Sequence, residues 1–485
     1  MSSVETLRRS AAWLFAGRTG EQVLAFAFGI VLARLLAPEA FGMLLTIQVF
    51  TGLAGFVAGG GMGQALVRAK TADKADYDIV FTLQLAIGLL IYLVFFALAP
   101  LLARWYQTPL YEDLLRVSAL SFLLRPFLNL PNSLLTRAMR FKAQAGVTIA
   151  SLVFSSAVSI GMAALGCGVW SLVWSGLLGA ALQSAILTRL TGWRPGLSRD
   201  VGRAGELARY GFLVTANDLV DYAKARVNVF ILSTSLGPAA VGLFNKSESL
   251  ARMPFSFVSG SVYQVLFRAM AAEQSNSDRC RYLYLRSVAL VAVYGTPFYV
   301  GLLWLAEPLV RGVYGDHWTA AARPLSVMAA AWPFWLLANL SGAVAAALNR
   351  LDRELPIQLV NLAVTATLVA LSLRWGLEGV AWAMVLASTI SCALMTRLAL
   401  EALGASWRDI GLALVPAAAL NTMLAATLAA LEYGLPSGWL AHDLLHLLIV
   451  GTTGGLVYAC ALLFIPFRGL HGEGARIREA FRRRA

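Results

Sequence analysis

Apolar segments alternate in this chain with turns that are either rich in arginine or nearly free of it. That alternation constrains the fold more than any motif. Fourteen segments are long enough to cross a bilayer. They lie near 11–33, 41–65, 79–102, 113–135, 146–166, 168–188, 210–234, 241–267, 287–306, 324–348, 356–373, 379–396, 410–431 and 444–466. A spanning helix needs about 20 mostly apolar residues. Arg8 and Arg9 precede the first segment. Arg68, Lys70 and Lys74 follow the second, and Arg137, Arg140 and Lys142 the fourth. Arg189, Arg194, Arg199, Arg203 and Arg209 follow the sixth, and Arg268, Arg279, Arg281 and Arg286 the eighth. Arg350 and Arg353 follow the tenth, Arg397 and Arg408 the twelfth, and Arg468, Arg476, Arg478, Arg482, Arg483 and Arg484 the last. The opposite turns hold only Arg34, Arg104, Arg311, Arg323 and Arg374. Cytoplasmic loops carry the excess of Lys and Arg, so both termini are expected in the cytoplasm. One missed or invented helix would scramble the pattern.

Composition agrees. Among 485 residues, 59% are hydrophobic and 13% charged, and the mean hydropathy is +0.70. These values predict an all-α integral membrane protein. The net charge of +13 is spread over eight cytoplasmic segments rather than one patch, which argues against nucleic acid as partner. It suits topology and contact with anionic phospholipids. The first apolar run has no small-residue cleavage site after it and reads as a retained helix, not a signal peptide. Cys167, Cys280, Cys392 and Cys460 include no CxxC pair, so neither a disulfide nor a metal site is expected. His442 and His446 flank Asp443 without an HExxH pattern and read as a polar helix start. Gly59-Gly60-Gly61-Met62-Gly63 follows no strand and reads as a helix end or close packing, not a phosphate loop. No ATP-binding motif and no cofactor signature occurs, so energy would come from a gradient or a partner.

A pattern recurs about two hundred residues on. Leu36-Ala37-Pro38-Glu39-Ala40-Phe41-Gly42 matches Leu236-Gly237-Pro238-Ala239-Ala240-Val241-Gly242, each at an outer hairpin turn. Pro100-Leu101 and Tyr106 match Pro308-Leu309 and Tyr314, and Gly168-Val169 matches Gly379-Val380. Six helices per repeat preserve orientation, so the two lobes are expected to be parallel repeats. The expected domains are an N-lobe over 1–190, a cytoplasmic linker over 191–207 and a C-lobe over 208–400. Two further helices follow over 401–467, then a basic tail over 468–485. Two like-oriented six-helix bundles make the geometry of an alternating-access transporter.

Charges also fall inside the segments. The basic ones are Arg18, Arg116, Arg125, Lys224, Arg226, Lys246 and Arg252; the acidic ones are Glu21, Asp218, Asp221 and Glu248. Each would cost roughly 2.5–3.5 kcal/mol at mid-membrane on a lipid face, so they are expected to face protein or water. Arg116 sits near a helix start and can snorkel. Asp218, Asp221, Tyr222 and Ala225 share one helical face, and Arg18 and Glu21 map onto Asp218 and Asp221 under the repeat. Two readings stand side by side. Arg226–Glu248 and Asp221–Arg252 are at pairing depth and could be register-fixing ion pairs. Alternatively, Arg18, Arg125, Lys224, Arg226, Lys246 and Arg252 line a cationic cavity for an anionic passenger, with Glu21, Asp218 and Asp221 as ion-coupling candidates.

The stretch Leu32-Ala33-Arg34-Leu35-Leu36-Ala37-Pro38-Glu39-Ala40-Phe41-Gly42, then Gly61-Met62-Gly63-Gln64-Ala65-Leu66-Val67, resembles the Wzx-type polysaccharide and O-antigen flippases. These belong to the multidrug/oligosaccharidyl-lipid/polysaccharide exporter superfamily. Leu135–Lys142, Trp193-Arg194-Pro195 and Leu236–Leu243 are similar to that family too, and the likeness runs over roughly residues 10–400. It implies a MATE-like fold of 14 transmembrane helices in the cell inner membrane. It also implies export of a lipid-linked oligosaccharide, on undecaprenyl pyrophosphate, for lipopolysaccharide or exopolysaccharide biosynthesis. A polysaccharide polymerase or glycosyltransferases would be neighbours, and an H+ or Na+ gradient a driving force. Such proteins often carry an acidic residue where Asn228 stands and tyrosine where Phe244 stands, so Asp218 and Asp221 become replacement candidates for coupling. Other readings are a multidrug or cation antiporter, a peptidoglycan-precursor flippase, and a membrane polysaccharide polymerase or ligase. A drug-cation carrier favours an acidic cavity. An enzyme would want a sizeable outer loop, and the largest here, Glu307–Arg323, is short. No catalytic residue is expected.

Overall fold

Helix breaks, not strands, punctuate the chain. The structure, a computed structural model, describes residues 3–59, 61–69, 72–198, 200, 222–223, 225–436 and 442–465, and no strand occurs among them. The helices are α1 (Ser3–Leu35), α2 (Pro38–Gly59), α3 (Met62–Arg68), α4 (Lys74–Trp105), α5 (Leu110–Ala119), α6 (Ser121–Arg137), α7 (Phe141–Ala164) and α8 (Val169–Thr191). Residues 225–235 form α9. There follow α10 (Gly237–Ala272), α11 (Ser277–Tyr314), α12 (Ala322–Ala329), α13 (Trp332–Ala347), α14 (Leu351–Ser372), α15 (Gly376–Leu403), α16 (Trp407–Gly434) and α17 (Asp443–Phe464).

Among the described residues eight helical runs are long and apolar enough to cross a membrane, or nine if the bent stretch Asp316–Ala347 is one span. One of the eight, Leu351–Leu403, has 53 residues. At 1.5 Å per residue it would measure about 80 Å, far more than a hydrocarbon core of about 30 Å. It reverses at Gly376, and its arms α14 and α15 pack against each other. The run expected near 113–135 is broken in two at Leu120, where i→i+3 bonds from Leu120 N to Val117 O and from Leu123 N to Leu120 O tighten the chain. Charges within α10, such as Lys246, Glu248 and Arg252, dilute its apolar content.

The surface confirms the solvent. Leu90, Leu101, Leu371, Leu412, Leu448 and Leu456 are all more than 60% exposed, an apolar surface far beyond what a water-soluble chain carries. On α7 and α8 many of the buried positions are small residues. Ser151, Ser156, Ser159, Ser171, Ser175 and Ser184 are buried on α7 and α8, as helix packing in lipid favours. This is a multi-pass membrane protein.

The chain divides into two compact units, Met1–Gly242 and Leu243–Ala485. In the first, α2, α4, α5 and α8 share a core of Ile47, Ala99, Tyr111, Leu114 and Val173. A second core of Met62, Leu66, Phe81, Leu130 and Trp193 holds α3 and α6 against α4. Gly61 takes a left-handed conformation (φ 57°) between α2 and α3, so the glycine cluster is a helix end. Gln84 donates to Gly59 O at 2.8 Å there. Arg137 donates to Leu66 O and Ala69 O, closing α3. After α8 the extended stretch 193–198 docks on the start of α4: Gly196 N donates to Asp78 at 3.0 Å, Ser198 N to Thr82 at 2.9 Å.

In the second unit α11 is the axis. Arg311 grips Asp443 with two bonds of 2.8 Å at one end, and Arg281 meets Asp409 at 2.7 Å at the other. Between them Val293 packs with Leu420, Leu424 and Val450. The two C-terminal helices α16 and α17 are thus clamped to α11 along its length. His446 is buried and meets Glu432 at 2.9 Å, and His442 stands at the N-terminal boundary of α17 without a side-chain capping bond.

Candidate functional site

The site in the first unit is built on the glycines of α2. Gly52 and Gly55 lie three residues apart, so they share a face. A Cβ on Gly52 would collide with the hydroxyl of Tyr222, and one on Gly55 with the guanidinium of Arg125. Without those atoms, polar groups reach the helix backbone itself. The Tyr222 hydroxyl donates to Gln48 O. Arg125 Nη1 donates to Gly55 O at 2.8 Å, and its guanidinium carbon lies 5.6 Å from the centre of the Phe122 ring. Arg226 lies over Tyr222, 5.5 Å from the ring centre. Both guanidinium groups are near enough to act on the Tyr222 hydroxyl electrostatically. Two of the expected cavity cations, Arg125 and Arg226, are therefore brought together around one phenol.

Aromatic contacts fix this arrangement from both ends. Phe56 meets Tyr222 at 5.3 Å between ring centres, and Phe50 meets Phe230 of α9 at 6.2 Å. Tyr106 and Ser233 share a hydrogen bond of 3.0 Å near the C-terminal end of α9. Ala225, expected on the face of Tyr222, is exposed instead, while Asn228 is buried. Arg116 pairs with Glu112 at 2.7 Å and covers Phe96, a local role.

The second unit holds Lys246 and Arg252. Lys246 stands over two rings, with its amine 4.6 Å from the centre of Tyr314 and 4.9 Å from that of Trp318. Cation–π contacts of this kind offset part of the cost of taking an ammonium out of water. Arg252 is exposed on α10. Glu21 is half-buried on α1; of Arg18 the helical backbone alone is described. Asp218, Asp221 and Lys224 lie outside the described residues, and with them the expected Asp221–Arg252 pair. Arg226 and Glu248 belong to different units.

Sequence reasoning missed the partners more than the charges. Nothing in the sequence marks Gly52 and Gly55 as the places where polar groups reach the backbone of α2. Tyr314 had appeared as a repeat match to Tyr106, without a role. Both now sit beside functional candidates, one under Lys246 and one against α9.

A chain of this kind has a known fold. It matches the structure titled lipid II flippase MurJ, inward closed conformation, with a TM-score of 0.72 over 92% of this chain and 98% of that one, at 13% identity. It matches an inward-facing multidrug resistance MATE family transporter with a TM-score of 0.61 over 79% and 94%, at 16% identity. At such identities the likeness is one of fold: the chain has the MATE-like, MurJ-like helical architecture. Residues 31–323 match the family described as polysaccharide biosynthesis protein, and the chain belongs to that family. It is 26% identical over 327 residues to the succinoglycan biosynthesis transport protein ExoT of Rhizobium meliloti, covering 67% of this chain. It is 22% identical over 330 residues to the lipopolysaccharide biosynthesis protein WzxC of Escherichia coli, covering 66% of this chain. Each alignment spans 66% of the relative's own length, just under two thirds.

Proposed function

We propose that this protein is a flippase of the cytoplasmic membrane. It moves a lipid-linked oligosaccharide, carried on undecaprenyl pyrophosphate, outward for cell-surface polysaccharide biosynthesis. The observation that carries the reading is the pair of guanidinium groups gathered around Tyr222 in a member of the polysaccharide biosynthesis family. Arginine presents a planar fork of donors that matches phosphate oxygens two at a time. A diphosphate leaving water needs such donors, because an uncompensated charge in lipid costs many kcal/mol.

In this reading the diphosphate and sugars enter from the cytoplasm and the prenyl tail stays in lipid. Arg125 and Arg226, with Arg18, Lys224, Lys246 and Arg252, offset the phosphate charge. Two lobes, 1–190 and 208–400, rock about the linker 191–207, and both termini face the cytoplasm. Glu21, Asp218 or Asp221 exchanges a proton or sodium ion as the lobes rock. The cationic set favours an anionic passenger over a cationic drug, and the chain acts as a carrier rather than as a polymerase or ligase.

The test is complementation. In a host whose own polysaccharide flippase is deleted, the parent chain should restore surface polysaccharide, and the Arg125→Gln/Arg226→Gln variant should reach the membrane without restoring it. Full restoration by that variant would remove the two arginines from the passenger's path. Rescue of a lipid II flippase deletion, without rescue of the polysaccharide one, would reassign the passenger.

A further inference from the structure

Leu368, Leu371, Arg374, Trp375, Trp382 and Leu386 line a groove of about 1140 Å³ on the hairpin of α14 and α15. The turn at its mouth is short: a single 3-10 turn, Leu373–Trp375, ends at Gly376 with φ 65°. Gly379, one turn into α15, lets Trp375 fold back over the helix. A Cβ there would meet Trp375 Cβ at 2.6 Å and Ser372 O at 2.7 Å. Beyond the turn the walls are apolar. Trp382 and Leu386 stand on one face of α15, and Leu371, Trp382 and Leu386 are each at least half exposed. Counted from Gly376 at 1.5 Å per residue, the groove reaches about 15 Å along α15 to Leu386, roughly half a hydrocarbon core.

The charges gather at the mouth. Arg374 lies over the Trp375 ring, 3.9 Å from its centre. Stacking uses the face of a guanidinium, so the in-plane N–H donors remain for an acceptor. Glu378 is the other charged residue of the lining, and Arg323 Nε donates to it at 3.1 Å. Among the described residues no carboxylate pairs with Arg374. One positive charge is therefore left at the mouth of an apolar groove.

We propose that this groove is a binding site for an anionic phospholipid, with the phosphodiester at Arg374 and an acyl chain along Leu371, Trp382 and Leu386. The helices around it are embedded in lipid, so an acyl chain is the occupant that the apolar walls meet first. The cation then selects among lipids. A phosphodiester without a balancing amine, as in phosphatidylglycerol, offers its oxygens to the guanidinium, whereas a choline headgroup brings its own cation. Tryptophan at the mouth suits a place at headgroup depth. The arginine pattern assigns this turn to the outside, which makes the outer leaflet the source. The site is separate from the cations around Tyr222 and does not depend on the passenger.

The test uses the full chain in nanodiscs of phosphatidylcholine with a minority of phosphatidylglycerol, in which one lipid or the other carries brominated chains that quench tryptophan on contact. Mole for mole, brominated phosphatidylglycerol should quench the parent more than brominated phosphatidylcholine. Arg374→Gln should cut that preference about fivefold, as expected for one cation near an anionic headgroup. Trp382→Phe should remove much of the excess quenching. Arg397→Gln is the control, since Arg397 pairs with Glu401 at the other end of α15, and should change neither. Glu378→Gln frees Arg323 at the mouth and should raise the preference, a gain that misfolding does not produce.

An excess left unchanged by Arg374→Gln or by Trp382→Phe, or lowered by Glu378→Gln, overturns the proposal. Equal quenching of the parent by the two lipids overturns it too, and makes the groove ordinary lipid-facing surface. Quenching relieved by a polyprenyl phosphate but not by unbrominated phosphatidylglycerol overturns the phospholipid assignment and gives the groove to a prenyl carrier.

Discussion

Replacing Arg125 with methionine should abolish export and leave the fold nearly as stable as before. The structure supplies both sides of that balance. Arg125 makes one charge-assisted hydrogen bond, to Gly55 O at 2.8 Å, and one ring contact at 5.6 Å. Hydrogen bonds to charged groups are worth about 1.5–3 kcal/mol, and an exposed cation–π contact about 0.5–1 kcal/mol. Against this loss stands the cost of holding a cation at membrane depth, roughly 2.5–3.5 kcal/mol on insertion scales. Gly55 O keeps its place in the helix ladder, so no acceptor is stranded. The terms cancel to within about 1.5 kcal/mol. At about 2–4 °C per kcal/mol for a unit of this size, the apparent unfolding midpoint should move by less than about 6 °C. Methionine fills similar volume without charge. Thermal unfolding of purified protein in detergent, followed by tryptophan fluorescence, gives the first readout; surface polysaccharide in the complemented host gives the second. A midpoint lowered by 10 °C or more, or export at the parent level, would refute the reasoning: the first makes Arg125 structural, the second makes it idle.

Four further outcomes are expected. Cysteines at 108, 237 and 435 should react with an impermeant reagent from outside, and cysteines at 72, 199, 275 and 405 should not; one reversal breaks the fourteen-helix topology. Asp443→Arg should lower the unfolding midpoint by placing two cations at the Arg311 clamp, and adding Arg311→Asp should recover most of it; no recovery would mean that the pair is incidental. Asp78→Ala removes the acceptor of the Gly196 N–H, a bond of about 1.5 kcal/mol, and should speed chymotryptic cleavage after Trp193 in folded protein, whereas Asp78→Asn should slow it again. Finally, transport in inverted vesicles under an imposed ion gradient should fall with Asp218→Asn, Asp221→Asn or Glu21→Gln. If all three variants transport like the parent, no coupling runs through these carboxylates.

The helical architecture was legible because lipid imposes a coarse rule. Every span must be long and apolar, and arginine must sit on alternate turns, so the run from Leu351 to Leu403 could be read as two arms although its helices are joined by a single 3-10 turn. Local backbone detail was not legible. The break at Leu120 depends on i→i+3 bonds rather than on any residue that announces a turn, since Pro126 and Pro131 lie further along. The candidate residues were legible as a set of charges because charge in an apolar segment stands out. Which charge meets which partner was not. Arg125 was visible, but its acceptor is a backbone carbonyl exposed by Gly55, and a carbonyl has no sequence signature. The repeat located Pro38 and Pro238, yet the close approach of Gly42 to the Pro238 carbonyl and of Gly242 to the Pro38 carbonyl is a property of space, and a glycine in a helix reads the same whether it is packed or free.

The repeat also shows where the two halves diverge. Tyr106 and Tyr111 form a ring pair 5.1 Å apart in the first unit, and Tyr314 and Trp318 a pair 6.5 Å apart in the second. Under the offset that relates the turns at 36–42 and 236–242, Lys246 occupies the place of Thr46. Thr46 turns its hydroxyl back onto its own helix at Gly42 O, whereas Lys246 lays its amine over both rings of its pair. One duplicated frame thus carries a neutral, self-satisfied position in one copy and a cation in the other. Packing alone does not call for that substitution, since the neutral version already closes the equivalent core. A lysine in an apolar helix carries an insertion cost, which its two ring contacts offset in part. Lys246→Thr should therefore restore the symmetry of the frame, preserve the fold and weaken export; a variant that exports as the parent does would return Lys246 to a purely structural role.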